Sequence, residues 1–308
     1  MDDVRLALAH RLPRPLAYVL GGGGAYGAVQ MGMLRALALT DLRPDLVVGT
    51  SVGSINGAVV AADPEGAAAD LVELWPQIDR KQVFPGRVIT HAIATAGGRP
   101  YLFDPGPLSD LLATYLPAAT VEELAVPFTA IATDLDTGEI VLIEEGDLRQ
   151  ALLASSAIPG VYPWVERDGR RVVDGGLAAM VPVRQAVERG AASVVVLDCG
   201  QYRPSSRRPD GLLDVIVQSL AIAARQQVTS DLAVAEDVPV VYLPAPHAIR
   251  STLFDFAHTG PLAEQAYADA VPMLAALAAA GDDVLVPGLY GDPPVAAAHP
   301  AVAELRRA

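Results

Sequence analysis

Cysteine, lysine and aromatic side chains are all scarce in this chain. One residue of 308, Cys199, is a cysteine, which excludes an intrachain disulfide and any zinc site built on several cysteines. Lys81 is the single lysine. A Gly-Lys-Ser/Thr phosphate loop is therefore excluded, and a Schiff-base mechanism has one residue to use. Positive charge is in deficit: 22 Lys and Arg face 36 Asp and Glu, a formal net charge of −14. That field repels a polyphosphate backbone and argues against nucleic-acid binding. Long hydrophobic runs are missing as well. The mean hydropathy is +0.33, yet no stretch of about 18 residues is free of glycine clusters, proline and charge, so no spanning helix is expected. Arg5, Arg11 and Arg14 precede a short apolar stretch, Leu16 to Leu20, which runs into four glycines without a cleavage signature; a cytoplasmic chain is expected.

What the chain does have is enough apolar side chain to build a core. Apolar residues make up 52% and charged ones 19%, which separates it from disordered sequences. Its period alternates between strand and helix: a strand at 16–20, four glycines, a helix from Ala25 to about Leu39, a strand through Asp45-Leu46-Val47-Val48, and a helix from Val52 to Ala62. Such a βαβ unit implies parallel pairing with a right-handed crossover. Further strands are expected near 128–133, 140–143, 194–197 and 240–243, with helices near 147–154, 182–189, 212–235 and 261–280. Asp168-Gly169 signals a hairpin just before Asp174. The Ala-, Pro- and Gly-rich stretch up to Pro127 reads as irregular helices over a sheet edge that could cap a pocket. The expectation is one α/β domain, a mostly parallel sheet flanked by helices, over 16–282. An N-terminal segment 1–15 precedes it, and a C-terminal tail 283–308 with a short helix ending at Arg307 follows.

Two glycine motifs carry the chemistry. Gly49-Thr50-Ser51-Val52-Gly53 is a G-x-S-x-G pattern set between a buried strand and a helix, the context in which such a serine becomes an exposed nucleophile. Gly21-Gly22-Gly23-Gly24-Ala25-Tyr26-Gly27 follows the first strand and opens its helix, where backbone N–H groups converge on an anion. This loop fits a dinucleotide fingerprint through Gly22, Gly24 and Gly27, but the adjacent strand then needs a terminal acid and ends in Gly49-Thr50-Ser51 instead. As an oxyanion hole beside Ser51 it needs no such acid. For a base, the order Ser51, Asp174, His247 or His258 formally meets the α/β-hydrolase triad, although two motifs about 27 residues apart within one βαβ unit do not suit that fold. His10, His91 and His299 read as surface or structural residues, and His258 as a helix cap. Asp174, in Val172-Val173-Asp174-Gly175-Gly176, is a carboxylate at a strand end, either a catalytic base or the cap of a glycine turn. Tyr101, Leu102, Phe103, Leu108, Leu111 and Leu112 line an acyl-chain pocket or form ordinary helix-face core. Cys199 reads as a buried small hydrophobe.

The glycine run Gly21 to Gly27, the Gly49 to Gly53 turn, Ala154-Ser155-Ser156-Ala157-Ile158-Pro159-Gly160 and Asp174-Gly175-Gly176 occur in this order and together resemble the patatin-like phospholipase family over roughly residues 16–260. The resemblance implies a serine acyl hydrolase of lipid carboxylic esters, phospholipid or lysophospholipid, working through an acyl-enzyme. In that reading Ser51 is the nucleophile, Asp174 takes its proton without a histidine, and Gly22, Gly23 and Gly24 hold the oxyanion. It implies no metal and no organic cofactor, a lipid or other ester as partner, and at most peripheral contact with a membrane. Tyr26 departs from the family pattern, which often has Arg or Lys two residues after the run. The rival readings are a nucleotide- or anion-binding protein using the glycine loop and a histidine-dependent α/β-hydrolase.

Overall fold

Short apolar runs bounded by glycine or proline form the middle of a nine-stranded sheet in the computed structural model, which describes residues 5–85, 100–200, 211–246, 252–291 and 293. The strands are Leu16–Leu20 (β1), Leu46–Thr50 (β2), Phe128–Asp134 (β3), Ile140–Ile143 (β4), Val165–Arg167 (β5), Arg170–Asp174 (β6), Ser193–Leu197 (β7), Pro239–Tyr242 (β8) and Gly288–Gly291 (β9). Their order is β5-β6-β3-β2-β1-β7-β8-β9, with β4 also on β3. From β3 to β9 the neighbours run parallel, whereas β4, β5 and β6 are antiparallel additions at the β3 end. The mostly parallel α/β expectation is met.

Side chains on the central strands alternate between two cores, as a pleated strand requires. Leu16, Tyr18 and Leu20 of β1 face one core, together with Val195 and Leu197 of β7. Ala17 and Val19 face the other with Val194 and Val196. The first core is covered by helices Ala28–Leu37 (α1), Val52–Ala62 (α2), Ala67–Leu74 (α3) and Thr259–Ala279 (α9). The second is covered by Val183–Glu188 (α7) and Leu212–Asp231 (α8). Buried on both faces, such strands read as continuous apolar runs, which is why they were visible in the sequence.

The capping stretch folds into Arg80–Val83 (α4) and Gly106–Tyr115 (α5). Leu148–Ser155 (α6) follows β4 and begins at Asp147, whose carboxylate accepts from Gln150 N. The helix expected from Ala25 opens instead as a 3-10 turn, Gly24–Gly27, and becomes α-helical at Ala28. The expected limits at 15 and 282 do not bound the packing. Leu8 and Leu12 are buried in the first core, Arg11 Nε donates to Asp283 O, and β9, lying beyond 282, completes the sheet against β8. A four-residue strand with glycine at both ends gave no apolar pattern to read. The tail helix expected to end at Arg307 and the Arg203 to Asp210 loop lie outside the described residues.

Candidate active site

The site is created by a change of partner along β3. Its first half pairs in parallel with β2, ending at Thr50 opposite Ile131. Its second half pairs with the antiparallel β6, which ends at Asp174 opposite Ala132. Two strands on the same side of β3 therefore run toward each other and stop at consecutive positions. The residue that follows β2 is Ser51, and the residue that closes β6 is Asp174. Ser51 Oγ donates to Asp174 Oδ2 at 2.6 Å, with both residues buried.

Ser51 holds φ 54° and ψ −127°, a region that side chains other than glycine rarely enter and that stores on the order of 1–3 kcal/mol of strain. Its surroundings over-determine it. Ser51 N donates to Ser155 Oγ at 2.9 Å, and Ser155 Oγ donates in turn to Ile131 O at 2.6 Å. Ser51 O accepts from Ser54 N and Ser54 Oγ. The second glycine of the motif has a packing reason: a Cβ on Gly53 would stand 2.2 Å from Leu20 O and 2.5 Å from Gly21 O. The first turn of α2 thus lies directly on the end of β1, and its positive end lies at Ser51. Ser155 received no role from the sequence. Its signal was only its place in a small-residue motif between an apolar helix and Pro159-Gly160.

Burial pushes the Asp174 carboxyl up to about 6, against the lowering effect of the hydrogen bonds from Ser51 and from Gly176 N. A carboxylate in that range is still ionised at neutral pH and is a better proton acceptor than an exposed aspartate. Its backbone is fixed as well, since Asp174 N donates to Ala157 O and Asp174 O accepts from Thr133 Oγ1.

The glycine loop lies against Ser51: a Cβ on Gly22 would be 3.3 Å from Ser51 Cβ. Three backbone bonds tether it, Gly21 N to Leu197 O, Gly22 N to Met180 O and Ala25 N to Leu253 O. The Gly22 bond corrects the expectation for that residue. Its N–H is already engaged by a carbonyl, so Gly22 anchors the loop rather than donating to an oxyanion. Among the described residues, no acceptor meets the N–H of Gly23 or Gly24. Gly24 has φ 55°, which favours glycine, and borders the cavity next to Ser51. Tyr26 sits in the 3-10 turn, its N–H donating to Gly23 O. Cys199 is buried beside Gly23, and burial raises its thiol pKa.

A cavity of about 820 Å³, including its open mouth, extends from Ser51 between α2, α5 and the 158–162 segment. Leu108, Leu111 and Leu112 line it. Phe103 stands behind the wall, its ring 5.8 Å from that of Phe84, while Tyr101 and Leu102 are not among the lining residues. Of the six expected residues, three line the pocket, and Leu102 and Phe103 belong to the first core. The sequence missed the aromatic side, Trp75, Phe84, Tyr162 and Phe256. Phe84 and Phe254 meet edge to face at 4.7 Å. A chain poor in aromatics has gathered four of its five phenylalanines around this wall.

The contact between Ser51 and Asp174 leaves no space for an imidazole between them. His258 stands at the N-cap position of α9, but its side chain makes no capping bond to the helix; its Nδ1 lies 2.8 Å from Asp255 Oδ2. His10 is half-exposed near Asp282. His91, His247 and His299 lie outside the described residues. Among the described residues, no group of three His, Cys, Asp or Glu side chains is arranged to hold a metal ion.

Residues 18–187 match the family model described as patatin-like phospholipase. Patatin-like phospholipase domain-containing protein 7 of Rattus norvegicus is 29% identical over 188 residues, 60% of this chain and 14% of that protein. An uncharacterized NTE family protein of Mycobacterium bovis is 31% identical over 168 residues, 54% of this chain and 44% of that protein. The chain thus spans less than half the length of these relatives. Among solved structures, VipD from Legionella pneumophila aligns with a TM-score of 0.45 and 14% identity, covering 86% of this chain and 67% of that one. The family match covers more than half of the chain and contains the serine turn, the aspartate turn and the glycine loop: the protein belongs to the patatin-like phospholipase family.

Proposed function

We propose that the protein hydrolyses carboxylic esters of lipids through a Ser51–Asp174 dyad. The observation that carries the reading is the 2.6 Å hydrogen bond from Ser51 Oγ to a buried carboxylate, at one end of a largely apolar cavity. Asp174 Oδ2 takes the hydroxyl proton as Oγ attacks the ester carbonyl carbon, and the carbonyl π pair moves onto oxygen. The N–H groups of Gly23 and Gly24 and the positive end of α2 stabilise that oxyanion. Collapse of the adduct breaks the bond to the alcohol, which leaves with the proton from Asp174, and the acyl group remains on Ser51. Water then gives a proton to Asp174 and attacks the acyl carbon. Ser51 leaves and recovers that proton, releasing the acid.

The apolar walls suit the acyl chain rather than a charged head group, which is expected to remain at the mouth. Contact with a lipid surface is expected to be peripheral. No helix among the described residues is long and apolar enough to cross a membrane, and a net charge of −14 opposes attraction to anionic bilayers. The test is intact mass after treatment with a fluorophosphonate probe, followed by peptide mapping. One adduct per chain on Ser51, absent from Ser51→Ala, is expected. No adduct, or one on another residue, overturns the reading.

A further inference from the structure

Two side-chain amides grip the glycine loop at its ends. Gln30 on α1 and Asn56 on α2 are both buried. Gln30 Nε2 donates to Gly21 O at 2.8 Å and to Leu197 O at 3.0 Å. Asn56 Nδ2 donates to Gly27 O at 3.1 Å and to Gln30 Oε1 at 2.8 Å. Trp75 Nε1 donates to Asn56 Oδ1 at 3.1 Å. The direction of this chain of bonds is fixed at both ends. The carbonyls of Gly21 and Leu197 only accept, so the Gln30 nitrogen must face them; the indole N–H of Trp75 only donates, so the Asn56 oxygen must face it.

Burying two amides carries a desolvation cost that apolar side chains of the same volume avoid, so a network satisfied at every atom calls for a use. Its partners supply one. Gly21 and Gly27 are the first and last glycines of the loop, and Gly23 and Gly24, whose N–H groups are assigned to the oxyanion, lie between them. Gly21 to Gly23 belong to no helix or strand, so no repeating ladder aims the N–H groups that follow. The other end of the network is the cavity wall. Trp75 lines the cavity and stacks on Phe256 with ring centroids 6.4 Å apart.

We propose that Gln30 and Asn56 are positioning residues for the oxyanion hole. By their bonds to the carbonyls of Gly21 and Gly27 they hold the loop so that the N–H groups between face the reacting carbonyl oxygen, and Trp75 locks the two amides in one orientation. The polar atoms of both amides are engaged within the protein, so they act through the loop. The inference rests on the hydrolase reading above, which assigns the oxyanion to this loop.

The test measures turnover and inhibition in wild type, Gln30→Met and Trp75→Phe. Methionine fills the glutamine's volume without its donors; phenylalanine keeps a ring on the wall without its N–H. With p-nitrophenyl octanoate, Gln30→Met is expected to lower kcat about 10- to 100-fold, because misdirected donors are missed only as charge develops. Trp75→Phe is expected to lower it about 3- to 10-fold, the size of one neutral hydrogen bond. KM should stay within about threefold in both, since binding in the ground state does not use the loop. Octyl trifluoromethyl ketone gives a second readout. Ser51 Oγ adds to its carbonyl carbon, the hydroxyl proton passes to Asp174, and the π pair moves onto oxygen, leaving an alkoxide at the loop. Its inhibition constant should rise by the factor by which kcat/KM falls, while that of octyl methyl ketone should change less than about twofold. Leu289→Ala, buried on β9 three strands from β1, controls for lost stability: it should lower Tm and leave kcat and both inhibition constants unchanged.

A folded Gln30→Met enzyme with wild-type kcat, or with a raised KM alone, overturns the proposal. So does a fall in kcat without a matching rise in the trifluoromethyl ketone constant. If Gln30→Met does not fold, Trp75→Phe decides by the same criteria. A wild type that neither cleaves the ester nor binds the trifluoromethyl ketone ends the hydrolase reading and this proposal with it, whereas an active wild type with indifferent variants removes the proposal alone.

Discussion

The two halves of the sheet are built differently. From β2 to β8 the strands are parallel, covered on both faces and buried along their whole length. Beyond β3 the strands are antiparallel and partly wet: Ile140 and Leu142 of β4 are each more than a third exposed, and so is Trp164 beside β5. The parallel half contributes the serine at a strained turn, and the antiparallel half contributes the carboxylate at a strand end. Neither half holds both groups. The site exists because β3 belongs to both and passes from one partner to the other between Ile131 and Ala132.

Removing the parallel half's contribution is expected to have the largest effect. Ser51→Ala should lower kcat/KM for a lipid ester on the order of 10⁴-fold or more, with circular dichroism unchanged. Residual activity of a few per cent in purified protein would locate the nucleophile elsewhere.

The matching change in the antiparallel half, Asp174→Asn, should lower kcat by about 10²–10⁴, the range for a lost general base. It also separates activity from stability. With its carboxyl raised from 3.8 to about 6, folded protein keeps this proton between those values while the unfolded chain has lost it. Ionising Asp174 therefore lowers stability as pH rises through that window. Asp174→Asn should melt higher than wild type at pH 8, and the gain should vanish below about pH 4, as scanning calorimetry at both pH values would record. Wild-type kcat/KM should rise with pH through about 6 and then level off. A Tm that falls equally at both pH values would mean that the carboxylate is a structural cap.

Ser155 ties the halves together, so Ser155→Ala should produce a smaller, mixed effect. It leaves Ser51 N and Ile131 O without their partner. Stability should fall by about 1–3 kcal/mol, and kcat by about 10- to 100-fold with KM little changed, since a displaced nucleophile still binds substrate. A rise in KM at constant kcat would assign Ser155 to binding instead.

Burial alone separates the halves in stability, with the smallest effect of all on the wet side. Leu197→Ala, in a fully buried parallel strand, should cost about 2–5 kcal/mol. Leu142→Thr, 37% exposed on β4, should stay within about 0.5 kcal/mol. Equal losses in urea melts would erase the contrast between the halves.

That contrast also explains what could be read in advance. Strands such as 16–20 and 140–143 were expected at the limits they have, because an apolar run with glycine close by is a local signal. Ser51 and Asp174 were legible as types of residue in types of turn. Their meeting was expected only through the family resemblance and not from local pattern, since it depends on the register of a third strand more than 40 residues before Asp174. The engagement of Gly22 N was hidden for a similar reason: its acceptor, Met180 O, lies about 160 residues away. The aromatic wall comes from Trp75, Phe84, Tyr162 and Phe256, scattered singly along the chain with no period to group them.

The position of β1 has a further consequence, for the time course of folding. One edge of β1 pairs with β2, only about 30 residues on, but the other pairs with β7, where Leu16 faces Ser193. On a ribosome adding about 5–20 residues per second, the first edge finds its partner within seconds, while the second waits about 9–35 s until β7 has been made. Through that interval the βαβ unit that holds Ser51 carries an open apolar strand edge, the kind of surface that pairs with other chains or is held by chaperones. Closing it is a long-range step, and long-range parallel pairing is slow.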